Sequence, residues 1–253
     1  MGALHDGHIS LILESIKVCQ NTVVSIYINP TQFAAHEDLD NYPSLIDEDI
    51  KLLQNYKIDC LFIPSNEVMY KKNFELLDYT NNFFFILEGK SRPHFFKGVT
   101  TIVSKLFHIV APSHAFFGEK DFQQVCVIKK MVQDLGFCTK IVSCPIIREE
   151  NGLAMSSRNK YLDKKEYLLS GCLYKALQSG KKMINSGERD PIKIKDEISS
   201  ILNNEPLFKI DYISVADKYS MEELIGKIDK DIVVSAAVYL GKTRLIDNFN
   251  ISL

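Results

Sequence analysis

Two histidines three residues apart open the sequence. The run MGALHDGH sets His5 and His8 on either side of Asp6-Gly7, directly before the amphipathic stretch ISLILESIKV. Asp6-Gly7 is suited to a tight turn, which lands His8 on the first turn of a helix. Unsatisfied backbone N–H groups and the helix dipole favour an anion there. With two imidazoles beside them, the arrangement suits a triphosphate. The competing arrangement is a helix capped by Asp6 with both histidines at the surface. Zinc fits less well, because no third ligand stands at a convincing spacing.

Three further segments carry polar groups suited to chemistry. INPTQF (28–33) follows an apolar run and offers the uncharged Asn29 and Gln32 for orienting a small polar substrate, although Asn-Pro is also a simple turn former. GEKDFQQ (118–124) supplies Gly118 for close backbone approach, Glu119, Lys120 as a cation, Asp121 as a helix cap and Gln124 one turn on. A lysine at a helix start and a strand end is a common phosphate anchor. MSSRN (155–159) follows the Asn151-Gly152 turn, and its two hydroxyls and arginine can wrap phosphate oxygens. Each segment alone is explained as well by an ordinary loop; four together point to one site.

The elements that would position them alternate. Apolar residues Ile9, Ile12, Leu13 and Ile16 predict a helix over 9–20, and the β-branched run 23–28 predicts a strand buried on both faces. Ser44 is expected to cap a helix over 45–55. A buried strand at 60–64, a helix over 98–110 ending before Pro112, a strand at 114–118, a helix over 121–135 closed by Gly136 and a strand at 139–147 complete this half. Strands separated by helices of this length imply parallel βαβ units with ligands at the strands' carboxyl ends. Beyond Ser157 the pattern changes to helices over 163–185 and 191–202, then strands at 211–215, 231–240 and 244–248, antiparallel because their connections are short.

Composition sets the outer bounds. The 253 residues are 46% hydrophobic and 25% charged, as in globular proteins. A formal net charge of −2 gives no reason to expect nucleic acid or an anionic membrane as partner. No apolar run approaches the roughly 20 residues that span a bilayer, and residue 1 is not followed by a signal-peptide pattern. Cys19, Cys60, Cys126, Cys138, Cys144 and Cys172 form no C-x-x-C pair, so buried free thiols in a reducing cytoplasm are expected rather than disulfides or zinc.

Taken in order, MGALHDGH, SIYINPTQF, EGKSRP, FGEKDFQQ and MSSRN resemble the pantothenate synthetase (pantoate–β-alanine ligase) family, and the resemblance extends to GKTRLIDN at 241–248. HDGH alone is shared with the wider HxGH nucleotidyltransferases; the combination is specific. The resemblance implies a Rossmann-like, doubly wound parallel sheet over 1–146 that binds ATP and pantoate, and a smaller α+β lid domain over 147–253. It implies that ATP and pantoate form pantoyl adenylate and pyrophosphate, after which β-alanine gives pantothenate and AMP. Magnesium would accompany ATP, and a cytoplasmic homodimer is implied.

Carried onto this chain, the resemblance makes His8, His5 and Lys120 catalytic. ATP would be met by Met1, Gly2, Ala3, Leu4, His5, Asp6, Gly7 and His8, by Gly118, Glu119, Lys120 and Asp121, and by Ile147, Met155, Ser156, Ser157 and Arg158. Gln32, Gln124 and Asn29 would serve pantoate, with Gln32 also near β-alanine. A nucleotidyltransferase acting on another small acid and an impaired member of the family are the rival readings.

Two departures stand out. The family's R-P-[GT]-H-F-x-G reads Arg92-Pro93-His94-Phe95-Phe96-Lys97-Gly98, so Phe95 takes the expected histidine position, and no role passes to His94 or Phe95. The family's central strand, ending in Pro-Thr ahead of Met-Gly, does not appear before residue 1. Either the strand lies ahead of the numbering or the start is set too late; if the chain does begin at residue 1, neighbouring strands are expected to keep unpaired backbone groups and folding and ATP affinity to be weak. Asp49 is read as lying on an exposed helix face, with a place in the magnesium shell as the alternative.

Overall fold

The structure is a computed structural model that describes all residues except 35–38, 40, 41, 44 and 78. It divides into two compact units, Met1–Glu119 with Gln123–Pro145 and Lys120–Phe122 with Ile146–Leu253. The first is α/β. In chain order come α1 (Asp6–Val18), β1 (Val23–Ser25), α2 (Ile46–Leu53), β2 (Cys60–Phe62), α3 (Asn66–Met69), α4 (Leu87–Ser91), α5 (Phe95–Val110), β3 (His114–Gly118), α6 (Phe122–Asp134) and β4 (Lys140–Cys144).

The βαβ expectation holds for strand direction. β1 pairs parallel with β2, Val24 opposite Leu61, and β3 pairs parallel with β4, Phe116 opposite Val142. The two pairs are separate two-stranded sheets rather than one continuous sheet. Beside β1, the Met1 backbone donates to the Ser25 carbonyl at 2.9 Å and accepts from Tyr27 N at 3.0 Å, the spacing of a parallel pairing. β1 and β2 are shorter and less buried than expected, since Val23 and Cys60 are exposed. Apolar composition alone does not say which face of a short strand is covered.

Two apolar clusters hold this unit. Leu4, Ile9, Ile12, Val24, Ile26 and Leu53 fix α1 and α2 around β1. Phe84, Phe96, Val99, Phe107, Ile128 and Met131 form the second, around α5 and α6. Of the apolar face expected on α1, Leu13 is 41% exposed. α1 starts at Asp6 and α5 at Phe95, each three residues earlier than the hydrophobic spacing indicates. Ser44 lies outside the described residues; Leu45 stands at the start of α2 with no side-chain cap. The six thiols are free, but Cys60 and Cys138 are exposed and only Cys144 is buried.

The second unit is the expected helix pair and antiparallel sheet. α7 (Lys164–Asn185) and α8 (Pro191–Asn203) precede β5 (Phe208–Asp217), β6 (Ile232–Leu240) and β7 (Thr243–Ile251), in sheet order β5-β6-β7. Both pairings are antiparallel, with a register shift between Ile210 and Tyr212. α7 opens with a capping box: the Asp163 carboxylate accepts from Glu166 N at 2.8 Å, and Glu166 accepts from Asp163 N at 3.0 Å. Leu173, Leu177, Ile194, Ile198 and Leu202 pack against Val234, Ala236 and Val238 in one core.

Asp163→Ala removes one side of this box while leaving the core intact. It should lower unfolding free energy by about 1 kcal/mol, read as an earlier urea midpoint with unchanged slope.

Candidate active site

The HDGH turn does not take the competing arrangement capped by Asp6. His5, not Asp6, occupies the N-cap position: its backbone is extended, and its Nδ1 accepts from Gly7 N at 3.1 Å. The His5 carbonyl also accepts from His8 N at 2.8 Å and Ile9 N at 3.1 Å. An imidazole that accepts at Nδ1 carries its proton on Nε2, so His5 is a cap on one side and a donor on the other. The His5 and His8 rings stack obliquely with centroids 4.0 Å apart. Asp6 is exposed, and its acidic side chain sits in the first turn.

The approach to this turn is held from outside α1. Ala3 adopts φ +47°, a left-handed conformation unusual for alanine. Leu4 N donates to Asp49 Oδ1 at 2.7 Å, and Asp49 is 3% exposed. The sequence placed Asp49 on an exposed helix face; it is buried because the α2 surface carrying it packs toward the N-terminal segment.

INPTQF folds into a 3-10 turn at Pro30–Gln32, opened by Asn29, whose Oδ1 accepts from Thr31 N at 3.4 Å. Asn29 is buried and its amide is taken up by protein groups. Oδ1 also accepts from Tyr70 OH at 2.7 Å and Thr31 Oγ1 at 3.0 Å, while Nδ2 donates to the Gly98 carbonyl at 3.2 Å. Burial raises the Tyr70 phenol above its ordinary value, against the hydrogen bonds to Thr31 and Asn29 that pull it down, which keeps it a donor. Tyr70 was not read from the sequence, since nothing in its spacing ties it to residue 29. The Gln32 side chain makes no hydrogen bond among the described residues, while its carbonyl accepts from Arg92 at 3.1 Å. The Arg92 guanidinium lies over the Phe95 ring at 4.1 Å, and His94 stands at the α5 N-cap without a side-chain capping bond.

GEKDFQQ follows β3. Glu119–Asp121 form a 3-10 turn that runs into α6, so Asp121 is within a turn rather than the cap of a free helix end. The two glutamines divide their tasks. Gln123 is buried, donating to the Phe83 and Ile86 carbonyls at 2.6 and 2.9 Å and accepting from Glu88 N at 3.0 Å. The half-buried Gln124 amide has no such bond among the described residues. Lys120 Nζ lies 3.6 Å from Asp121, and its carbonyl accepts from Asn248 Nδ2 on β7 at 2.9 Å.

MSSRN closes a small hairpin. Met155 N donates to the Ile147 carbonyl at 2.9 Å, and Arg148 bridges Ala154. At its tip Gly152 takes φ +92°, and a Cβ there would collide with the Tyr174 ring. Arg148 donates to the Gly152 carbonyl at 3.0 Å and to both Asp247 oxygens, at 2.6 and 3.0 Å. Burial raises the Asp247 carboxyl above its ordinary value, and Arg148 opposes it. Ser156 caps the next turn, Ser157–Tyr161, by accepting from Arg158 N at 3.3 Å, and Ser157 is buried.

The model of the pantoate-beta-alanine ligase family matches residues 1–250. The chain belongs to that family. Pantothenate synthetase of Carboxydothermus hydrogenoformans is 46% identical over 253 residues, covering 98% of this chain and 88% of that protein. The Enterococcus faecalis pantothenate synthetase is also 46% identical, covering 100% and 89%. The Thermus thermophilus pantothenate synthetase structure superimposes with a TM-score of 0.95 at 35% identity, covering 98% of this chain and 90% of that one. The Francisella tularensis ligase, complexed with beta-gamma ATP and beta-alanine, gives a TM-score of 0.78 at 36% identity, covering 98% and 86%. The chain is thus an enzyme, a carbon–nitrogen ligase that joins pantoate to β-alanine in pantothenate biosynthesis, and the rival of a nucleotidyltransferase for another acid falls away. No described helix is long and apolar enough to cross a membrane.

Gly98 is the tightest constraint on the Asn29–Gln32 turn, because a Cβ there would stand against the Thr31 carbonyl and Gln32 N. Both neighbours are backbone, so Gly98→Ala should destabilise by about 1–3 kcal/mol. Denaturant titration reads the loss, and a stability equal to wild type would show that the turn yields freely.

Proposed function

We propose that this ligase works through a pantoyl adenylate made from ATP. The pantoate carboxylate attacks the α-phosphorus and expels pyrophosphate; the β-alanine amine then attacks the acyl carbon and AMP leaves. What carries the reading is the His5-capped turn of α1 in a chain matched to the family along its length. The Francisella ligase, complexed with beta-gamma ATP and beta-alanine, supports ATP and β-alanine as ligands here.

Charge develops on the α-phosphate and on departing pyrophosphate, so donors fixed in advance supply most of the rate enhancement. In the first unit, the segment from Met1 to His8 serves the nucleotide: Met1, Gly2, Ala3 and Leu4 through the backbone, Asp6 and Gly7 as the turn, and His5 and His8 at the phosphates. Gly118 and Glu119 belong to the same task. Lys120, Asp121, Ile147, Met155, Ser156, Ser157 and Arg158 also serve the nucleotide. Gln32 and Gln124 hold pantoate, a role supported by side-chain amides that no described protein group engages, while Gln123 is fully used within the fold. Asn29, whose amide is engaged internally, shapes the pantoate pocket rather than reaching far into it. Pantoate brings its own carboxylate nucleophile, so positioning outweighs general base catalysis.

Magnesium enters with ATP on the nucleotide's phosphates, where it offsets their charge. Residues 1–146 form the ATP- and pantoate-binding domain, and residues 147–253 a lid domain that keeps water from the adenylate. The enzyme works as a cytoplasmic homodimer.

His8→Ala and Lys120→Ala should each lose about 3 kcal/mol of transition-state stabilisation, roughly a hundredfold in rate. A coupled assay for pyrophosphate and AMP, omitting each substrate in turn, reads this directly. Near-normal adenylation by either variant would remove that residue from the mechanism.

A further inference from the structure

We infer that Asp49 is a positioning residue for adenylation, acting through the Leu4 N–H rather than through its charge. The inference rests on the reading of the His5–His8 turn as the phosphate anchor. Asp49 lies 45 residues from Leu4 in sequence and is 3% exposed, and its Oδ1 accepts from Leu4 N at 2.7 Å. Leu4 immediately precedes the His5 cap, and Ala3 before it is held at φ +47°. A left-handed alanine is held in place by its surroundings. The Asp49 hydrogen bond grips the backbone at this point, and it sets the direction in which His5 enters α1.

The burial of this carboxylate is not accounted for by its hydrogen bonds. Asp49 Oδ2 has no hydrogen-bond partner among the described residues, and the side chain borders a cavity of about 160 Å³ lined by Gly2, Ala3, Ile26, Ile28, Ile63 and Pro64 among others. A buried carboxylate with one oxygen unmatched is unfavourable for stability alone. Retaining it at the base of the reactive turn is explained if its acceptor fixes that turn. A displacement of the turn by about 1 Å is enough to reduce rate on the order of a hundredfold.

Two near-isosteric substitutions separate bond from charge. Asn keeps an acceptor for Leu4 N and removes the charge; Leu fills the same space and removes the acceptor. The expected result is that Asp49→Asn forms pyrophosphate at close to the wild-type rate. Asp49→Leu should lose about tenfold or more in adenylation kcat, with the KM for pantoate little changed. When synthetic pantoyl adenylate is supplied, Asp49→Leu should release AMP with β-alanine at the wild-type rate, because that half-reaction does not use the triphosphate. General loss of structure would impair both half-reactions. If Asp49→Leu does not fold, Asp49→Asn alone still decides: a loss of adenylation overturns the inference, since charge is then what matters. Wild-type adenylation by Asp49→Leu, with His8→Ala impaired, also overturns it while the phosphate reading stands. Unimpaired adenylation by His8→Ala removes that reading instead.

Discussion

The first turn of α1 is fixed by His5 itself, and on the proposed reading that fixed turn is what receives the phosphates. Its Nδ1 closes the first turn of α1 by accepting from Gly7 N. That bond uses one face of the imidazole for structure and assigns the proton to the other. One side chain caps the helix and, on the proposed reading, also donates to a phosphate. A serine or aspartate would cap the helix as well, but would leave no N–H to direct at a phosphate.

In the remaining segments the candidate groups likewise stand beside side chains engaged within the fold. Asn29 is bonded by Tyr70 and Gly98, so the turn that carries Gln32 is rigid while Gln32 keeps its amide. Gln123 ties α6 to the Phe83–Glu88 backbone, beside Gln124. Asn248 holds the Lys120 carbonyl, and Arg148 locks the hairpin before Ser156 through Asp247. These polar groups are matched by protein partners, as buried polar groups must be if they are to hold a fold in place.

Much of this was legible in sequence where the physics is local. HDGH, Asn151-Gly152 and the start of α7 at Asp163 announce turns and helix ends through residues a few places apart, and those features form. Helices α7 and α8 and the three antiparallel strands follow from periodicity and short connections. The groups that hold the site were not legible, because their partners are distant: Leu4 and Asp49 are 45 residues apart, Asn29 and Tyr70 41, Lys120 and Asn248 128. Asp49 in particular follows Asp47-Glu48 on a charged-looking helix turn, which reads as solvated until the fold buries it. The side chain that caps α1 was not legible either: aspartate is the more common capping residue, and only the extended backbone of His5 shows that its own side chain reaches Gly7 N.

The tautomer of His5 tests the central claim most directly. Nitrogen-15 NMR of the histidine side chains, without and with a non-hydrolysable ATP analogue, distinguishes Nδ1 from Nε2 protonation. The account predicts neutral His5 protonated at Nε2 in the free enzyme, with the Nε2 signal shifting when the nucleotide binds and Nδ1 remaining an acceptor. A proton on Nδ1, or an Nε2 signal indifferent to saturating nucleotide, would contradict it.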